Sequence, residues 1–213
     1  VLRSNQPITE DIRNKVSLYC DVASSNVISA EDLDDIYEVP LRMHNEGLDA
    51  SVIRLLNLQE NDIDLSEWNK INEMQKTINK KIKIGMLGKY NGLPDSYLSV
   101  VEALRHACFH NHVSLDIKWL DSDNFDPEEF KGLDGVVVPG GFGYRGIEGK
   151  LNGITYLREN NIPFLGLCLG LQCAVIEYAR NVCNITDANS SEFAPNTKNP
   201  VIDLLPNQNI TKD

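Results

Sequence analysis

From Lys81 onward the sequence alternates between apolar strand patterns and amphipathic helix patterns, which restricts the fold more than any other feature. Strand patterns occur in "KIKIGMLGKY", "VSLDIKWLDS", "LDGVVVPGGFG" and "IPFLGLCLG". The run from Val136 to Val138 is typical of a strand that is buried on both faces. Strands that alternate with helices are joined by right-handed crossovers into a parallel sheet. We therefore predict an α/β fold with helices on both faces of the sheet.

Helix patterns fill the intervals between these strands. In "DSYLSVVEALRHACFHN", four apolar residues share one helical stripe: Tyr97, Val101, Leu104 and Cys108. Two further helices are predicted over "GITYLRENN" and "LQCAVIEYARNV". After about Asn181 the chain is polar and rich in Asn, Ser and Pro.

The first 56 residues have a different character, with short helix patterns. Thr9 is predicted to cap one helix and Ser29 a second, over "AEDLDDIY", while Pro40 opens a third. Residues 57–80 are polar, which favours a solvated helix or a linker. The predicted organisation is a domain end over 1–56, an interdomain linker over 57–80 and the α/β domain over 81–213.

Composition excludes several classes of partner. The net charge of −11 and the isoelectric point near 4.8 argue against a nucleic-acid or anionic-membrane surface. The sequence has no apolar run of about 18 residues and no signal-peptide pattern, so we expect a cytoplasmic protein. The five cysteines are scattered, without a C-x-x-C pair and with no His arranged near them in a zinc-ligand pattern, so we expect reduced thiols and no metal site.

Two strand ends carry residues that are suited to chemistry, because sites in an open parallel sheet form beyond the carboxyl ends of its strands. In "GLCLG", Cys168 lies between two glycines, as a sharp strand-to-helix turn around a nucleophile requires. A helix N-terminus there would favour a thiolate and offer the Leu169 N–H to an oxyanion. A second donor is predicted from the "PGGFG" turn, at Gly140 or Gly141.

The sequence offers no evident proton acceptor for Cys168. All four histidines, His44, His106, His110 and His112, precede it. A cysteine hydrolase of this layout usually takes its base from a later strand end. The two motifs alone therefore leave open whether Cys168 is a nucleophile or part of a structural turn.

Longer stretches resemble a known family. "PGGFGYRGIEGK", "IPFLGLCLGLQCAVIEYARNV" and "DANSSEF" resemble the glutaminase domain of the CTP synthase family, a class I glutamine amidotransferase. "LRSNQPITEDIRNKVSLYC" and "VISAEDLDDIYEVPL" resemble the end of the synthetase (amidoligase) domain in that family. The resemblance implies a flavodoxin-like parallel sheet of the amidotransferase type over 81–213. It also implies that this sheet is incomplete and that the helical tail of a synthetase domain precedes it.

The resemblance assigns roles by position. Cys168 matches the nucleophile that attacks the glutamine side-chain amide and forms a γ-glutamyl thioester, while Gly141 and Leu169 match the oxyanion hole. Residues that match glutamine-binding positions are Gly140, Phe142, Gln172 and Glu192. The segment from Tyr144 to Lys150 matches a lid loop linked to activation by GTP, with Arg145, Gly146 and Glu148 as its candidate residues. Arg3, Lys15 and Tyr19 match positions near the bound nucleotides.

For the complete enzyme, the resemblance implies a tetramer that makes CTP from UTP, ATP with Mg²⁺, and ammonia released from L-glutamine. The family's phosphate-binding loop would lie before Val1, and its catalytic His and Glu would lie after Asp213. We therefore expect this chain alone to hydrolyse glutamine poorly or not at all, and we assign no cofactor to it with certainty. Two alternatives remain. One is a non-catalytic regulatory or assembly module, and the other is a stand-alone cysteine hydrolase or redox sensor.

Overall fold

The computed structural model describes residues 1–89 and 94–205, and the chain divides into two compact units. The first spans Val1–Ile78 and the second begins at Asn79. The elements of the first unit are β1 (Leu2–Ser4), α1 (Glu10–Cys20), β2 (Ser29–Glu31), α2 (Val39–Asn45), α3 (Leu48–Leu56) and α4 (Ser66–Lys76).

Local capping explains where the first helix begins. Thr9 is the N-cap of α1, and its hydroxyl accepts a hydrogen bond from the Ile12 N–H at 3.4 Å, which confirms the sequence prediction. The prediction that Ser29 caps a helix is wrong. Ser29 begins strand β2, which pairs in parallel with β1 and places Ala30 opposite Arg3. This pairing fixes an extended backbone where the local pattern favoured a helix.

The polar segment 57–80, predicted as a linker, contains a helix that packs within the first unit. Asn72 of α4 is buried, and its side-chain amide donates to the Tyr37 carbonyl at 3.4 Å. The division between the two units follows Ile78, close to the predicted start of the α/β domain. The functional domain boundaries stay a prediction.

The second unit contains the predicted parallel sheet. Its elements are β3 (Lys80–Gly88), α5 (Leu98–His110), β4 (Val113–Asp121), β5 (Gly135–Val138), α6 (Ile147–Glu159), β6 (Phe164–Gly166), α7 (Leu169–Asn181), β7 (Ala188–Ser190) and β8 (Asn199–Ile202). Four parallel strands follow the order β4-β3-β5-β6, which is the flavodoxin-like arrangement. The α/β prediction is confirmed. Strands β7 and β8 form a small parallel pair in the polar tail, where no element was predicted.

The core of the second unit lies between the sheet and helices α6 and α7. Strands β3 and β5 contribute Leu87, Val136 and Val138, all buried, to a cluster with apolar side chains of both helices. The helix residues of this cluster include Ile147, Leu151, Ile154, Leu157, Leu169, Cys173 and Ile176. Because this packing fixes both helices against the strands, it also fixes the turns from which they emerge.

An ion pair between a buried carboxylate and a half-buried guanidinium group joins the two helices. The Glu177 side chain on α7 is 2% exposed, and Arg158 on α6 donates to it from Nε at 3.0 Å and from Nη2 at 2.9 Å. Asn181 donates a further hydrogen bond at 3.0 Å. Burial alone would raise the pKa of Glu177, but the hydrogen bonds from Arg158 and Asn181 outweigh it and lower the pKa.

We predict that Glu177→Gln lowers the free energy of unfolding by about 2 kcal/mol at neutral pH, because charge-assisted hydrogen bonds are lost. The folded-state pKa lies below the ordinary 4.5, so the stabilisation is complete above that pH and is lost as the pH falls through the lowered pKa. Urea denaturation at several pH values measures the difference.

The matched control is Glu128→Gln. Its ion pair with Lys131 is mostly exposed, with side-chain exposures of 63% for the lysine and 69% for the glutamate. We expect a loss below about 1 kcal/mol there. Equal losses for the two variants at neutral pH would contradict the assignment of Glu177 as the stabilising partner.

Candidate active site

Cys168 occupies a strained turn between strand β6 and helix α7. It is the N-cap of α7, with φ 52° and ψ −107°, a combination that non-glycine residues rarely adopt. Its side chain is exposed. The first amides of a helix have no intrahelical partner, so the N–H of Leu169 is available for capping at this end. The turn thus presents a thiol beside backbone donors, as a nucleophile elbow does.

The two glycines of the turn are required by close backbone approach. A β-carbon on Gly166 would lie 2.6 Å from the Gly170 carbonyl carbon, and one on Gly170 would lie 2.0 Å from the Val138 oxygen. Both distances are far below van der Waals contact. The glycines therefore allow α7 to begin directly against strand β5, as the spacing in the sequence predicted.

The glycine-rich turn after β5 lies beside the cysteine turn. Strand β5 pairs with β6, and Val138 is opposite Gly166, so the two turns emerge side by side. A β-carbon on Gly140 would lie 3.5 Å from the Cys168 β-carbon, and one on Gly141 would lie 3.5 Å from Leu169 Cδ2. Backbone donors from two elements can thus converge on an atom bound at Cys168.

The remaining glutamine-binding candidates are Gln172, Phe142 and Glu192, which lie on three different segments of the second unit. Gln172 is half-buried one turn into α7, and its N–H donates to the Cys168 carbonyl at 3.1 Å. Phe142 is 86% exposed in the glycine-rich turn. Glu192 follows β7, which packs against α7, and its side chain is exposed. The Glu192 N–H donates to Ser190 Oγ at 3.2 Å.

Residues that follow strands β3 and β4 contact the predicted lid loop. Arg145 donates from Nη2 to the Lys89 carbonyl at 2.9 Å and forms an ion pair with Asp123 at 3.2 Å. Lys89 Nζ in turn donates to the Phe142 carbonyl. The loop is therefore tied to two neighbouring strand ends. Sequence reasoning missed both Lys89 and Asp123, because their role depends on strand order.

The lid segment is partly helical. Gly146 is the N-cap of α6, so Ile147 to Lys150 belong to the helix and the loop ends at Gly146. Glu148, in the first turn of α6, forms an ion pair with Arg180 of α7 at 3.2 Å. This contact links the start of α6 to the helix that follows Cys168.

The candidate nucleotide-binding residues lie in the first unit. Arg3 in β1 forms an ion pair with Asp32 at 2.8 Å, and its side chain is 83% exposed. Lys15 and Tyr19 lie on α1, and both are exposed. Within residues 1–89 and 94–205, no group of three or more His, Cys, Asp and Glu side chains could hold a metal ion.

All four histidines lie within the described ranges, away from the cysteine turn along the chain. His44 forms a hydrogen bond with Asp49 at 2.6 Å in the first unit. His106 and His110 lie in the second half of α5, and His112 directly precedes β4. These three therefore lie toward the amino end of the sheet, whereas Cys168 follows the carboxyl end of β6.

Sequence reasoning also missed Lys150. This residue is on α6 and is fully buried, although lysine is among the residues least often buried. Ile147, Lys150, Leu151 and Ile154 share one helical face, so an earlier helix start would have placed the lysine among apolar residues.

Comparison with known proteins assigns the family. The model of the family described as "Glutamine amidotransferase class-I" matches residues 92–208, and the model described as "CTP synthase N-terminus" matches residues 1–58. The chain belongs to the CTP synthase family. The CTP synthase of Carboxydothermus hydrogenoformans is 51% identical over 212 residues, which cover 98% of this chain and 40% of that protein. The CTP synthase of Methanocaldococcus jannaschii is 50% identical over 220 residues, with the same two coverages of 98% and 40%.

A solved structure supports the fold assignment within this family. The glutaminase domain of Trypanosoma brucei CTPS, determined with bound acivicin, has a TM-score of 0.55 and 39% sequence identity. The match covers 58% of this chain and 50% of that chain. The chain thus spans about 40% of the length of the curated CTP synthases that it matches, and its sheet is of the class I amidotransferase type.

Backbone strain at Cys168 leads to a stability prediction. We expect Cys168→Gly to be about 1 kcal/mol more stable than Cys168→Ala, because glycine adopts φ 52° without a β-carbon clash. Comparing the two variants removes the contribution of the thiol itself. At Cys183, which has no positive φ, we expect the opposite order, with glycine less stable by up to about 1 kcal/mol. Chemical denaturation measures both pairs, and the same order at both positions would contradict strain at Cys168.

Among the described residues, no helix is both long and apolar enough to cross a membrane.

Proposed function

We propose that the second unit carries the glutamine-hydrolysing site of a CTP synthase and that Cys168 is its nucleophile. One observation carries the proposal. A thiol in a strained conformation begins helix α7, directly beside the glycine-rich turn of the neighbouring strand. Backbone strain of this kind is concentrated at functional sites.

The chemistry follows from the geometry. The Cys168 thiolate attacks the side-chain amide carbon of L-glutamine, a carbon–sulfur bond forms, and the carbonyl electron pair moves onto oxygen. We propose that the N–H groups of Gly141 and Leu169 hold this oxyanion. Collapse of the intermediate expels ammonia after its nitrogen is protonated, and water then hydrolyses the γ-glutamyl thioester.

We assign glutamine recognition to the groups around this centre. Gly140 and Phe142 would contact the substrate from the glycine-rich turn, Gln172 from α7, and Glu192 would receive the substrate's ammonium group. We propose that the general base is a group other than His106, His110 and His112, since these three lie toward the amino end of the sheet.

In the complete enzyme, a cytoplasmic homo-tetramer in this proposal, the ammonia would aminate UTP activated by ATP. Arg3, Lys15 and Tyr19 of the first unit would contribute to the nucleotide site, and Arg145, Gly146 and Glu148 to activation by GTP. Mg²⁺ has no fitting group of ligands among the described residues, so we derive no step through it.

Selective labelling tests the proposal. Acivicin, the compound bound to the related glutaminase domain, should modify Cys168 faster than the exposed thiols Cys20 and Cys183. L-Glutamine should slow this reaction, whereas D-glutamine should not. Peptide mapping by mass spectrometry after timed incubation of the whole chain measures each rate. Equal modification of the three thiols, or no protection by L-glutamine, would contradict a glutamine site at Cys168.

A non-catalytic regulatory or assembly module with an amidotransferase-like fold is the second candidate, because the same two turns would also form a binding site for glutamine. Both candidates predict that glutamine protects Cys168. They differ in turnover: the module would bind glutamine and release no ammonia even in the protein purified from its native source. A stand-alone hydrolase or redox sensor would instead show no preference for glutamine analogues over simple electrophiles.

A further inference from the structure

A buried lysine lies beside the glycine-rich turn of the candidate site. Lys150, in the first turn of α6, has no solvent exposure, and its Nζ has no hydrogen-bond partner in the described part of the chain. A β-carbon on Gly141 would lie 3.9 Å from this nitrogen. The amine is therefore adjacent to the turn that we assign to the oxyanion hole.

This placement is unfavourable for the fold alone. A buried ammonium group without a hydrogen-bond partner loses its hydration and gains nothing in return. Burial accordingly lowers the pKa of Lys150. Four titratable groups influence the charge of Lys150. They are Cys173 on α7, Cys168 just before α7, Lys89 after β3 and Asp123 after β4. Only Asp123 is a carboxylate, and it is engaged with Arg145.

We propose that Lys150 is a positioning residue of the glutaminase site, whose ammonium group supports the oxyanion hole from behind Gly141. The inference rests on the proposed function of Cys168. Lys150 acts through the turn and the local electric field, without touching the substrate.

The surroundings of Gly141 explain why a charge there would be effective. A β-carbon on Gly141 would also meet Leu169 Cδ2 at 3.5 Å and Lys89 Cε at 3.6 Å. Leu169 is 2% exposed, so one side of the turn is apolar and excludes water. Charge interactions are stronger in such surroundings than in water. A cation on that side favours negative charge that develops on the substrate at Cys168.

Two electrophiles distinguish the proposed role of Lys150 from a change in the reactivity of the Cys168 thiol. They differ in whether negative charge develops on the electrophile during the reaction. Acivicin reacts by attack of the thiolate on the ring C=N carbon. A carbon–sulfur bond forms, negative charge develops on the ring nitrogen, and chloride leaves. Iodoacetamide reacts by direct displacement of iodide, with no charge developing on its carbonyl oxygen. Both rate constants are proportional to the fraction of Cys168 present as thiolate, so this fraction cancels in their ratio.

The test compares the wild-type chain with Lys150→Met, which removes the amine and keeps an unbranched, uncharged side chain of similar length. We expect the ratio of the acivicin to the iodoacetamide rate constant at Cys168 to fall about tenfold, which is less than the roughly 100-fold or more for loss of a direct oxyanion donor, because Lys150 acts through the turn. The control is Lys131→Met, which removes an exposed lysine paired with Glu128 and should leave the ratio unchanged.

Two further readouts exclude a merely structural role. Raising the pH of the wild type should lower the ratio at a pH below the ordinary lysine pKa of 10.5, because the pKa of Lys150 is lowered and the cation is lost. In Lys150→Met the fall should be smaller, because only the amino group of acivicin then titrates in that range. The urea midpoint of Lys150→Met should also be no lower than that of the wild type, because an unfavourable buried charge is removed.

The outcomes distinguish the inference from the proposed function. If Lys150→Met folds and keeps the wild-type ratio, the inference is overturned while the site stands. If it fails to fold, the pH profile of the wild type decides, and a ratio that does not change with pH overturns the inference. If acivicin does not react selectively with wild-type Cys168, the proposed function itself fails.

Discussion

The close approach of helix α7 to strand β5 is the constraint on which the site depends. Only glycine fits at position 170, because a β-carbon there would lie 2.0 Å from the Val138 carbonyl oxygen. Because the helix begins this close to the sheet, the chain must reverse sharply at Cys168, which accounts for its positive φ. The same contact brings the helix N-terminus beside the glycine-rich turn. The position of the thiol, the proposed oxyanion donors and the backbone strain thus have a common cause.

Buried charges in the second unit follow two different patterns. Glu177 is paired with Arg158 and Asn181, so its charge is compensated and stabilises the contact between α6 and α7. Lys150, on the same helix as Arg158, is equally buried and has no hydrogen-bond partner in the described residues. The first pattern is expected of a structural ion pair. The second is expected where stability is given up for function, and it occurs beside the proposed oxyanion hole.

The sequence predicted the sheet and the cysteine turn because both depend on local patterns. The apolar run from Val136 to Val138 indicates a buried strand, and the glycine spacing around Cys168 indicates a sharp turn, without reference to any distant residue. Ser29 was assigned wrongly because its pairing partner in β1 is distant in the chain. Strands β7 and β8 were missed for the same reason, since polar residues become strands there by pairing with each other. The roles of Lys89 and Lys150 depend on strand order and on packing, which no local pattern contains.

The most direct test of the account is to trap the acyl-enzyme. The protein is isolated from its native source with an antibody against residues 57–80, mixed with L-glutamine and quenched with acid. The masses of its proteolytic peptides are then measured by mass spectrometry. The account predicts that the peptide containing Cys168 gains the mass of a glutamyl group and loses it after treatment with hydroxylamine. A glutamine-bound protein that releases no ammonia and shows no adduct at Cys168 would contradict it.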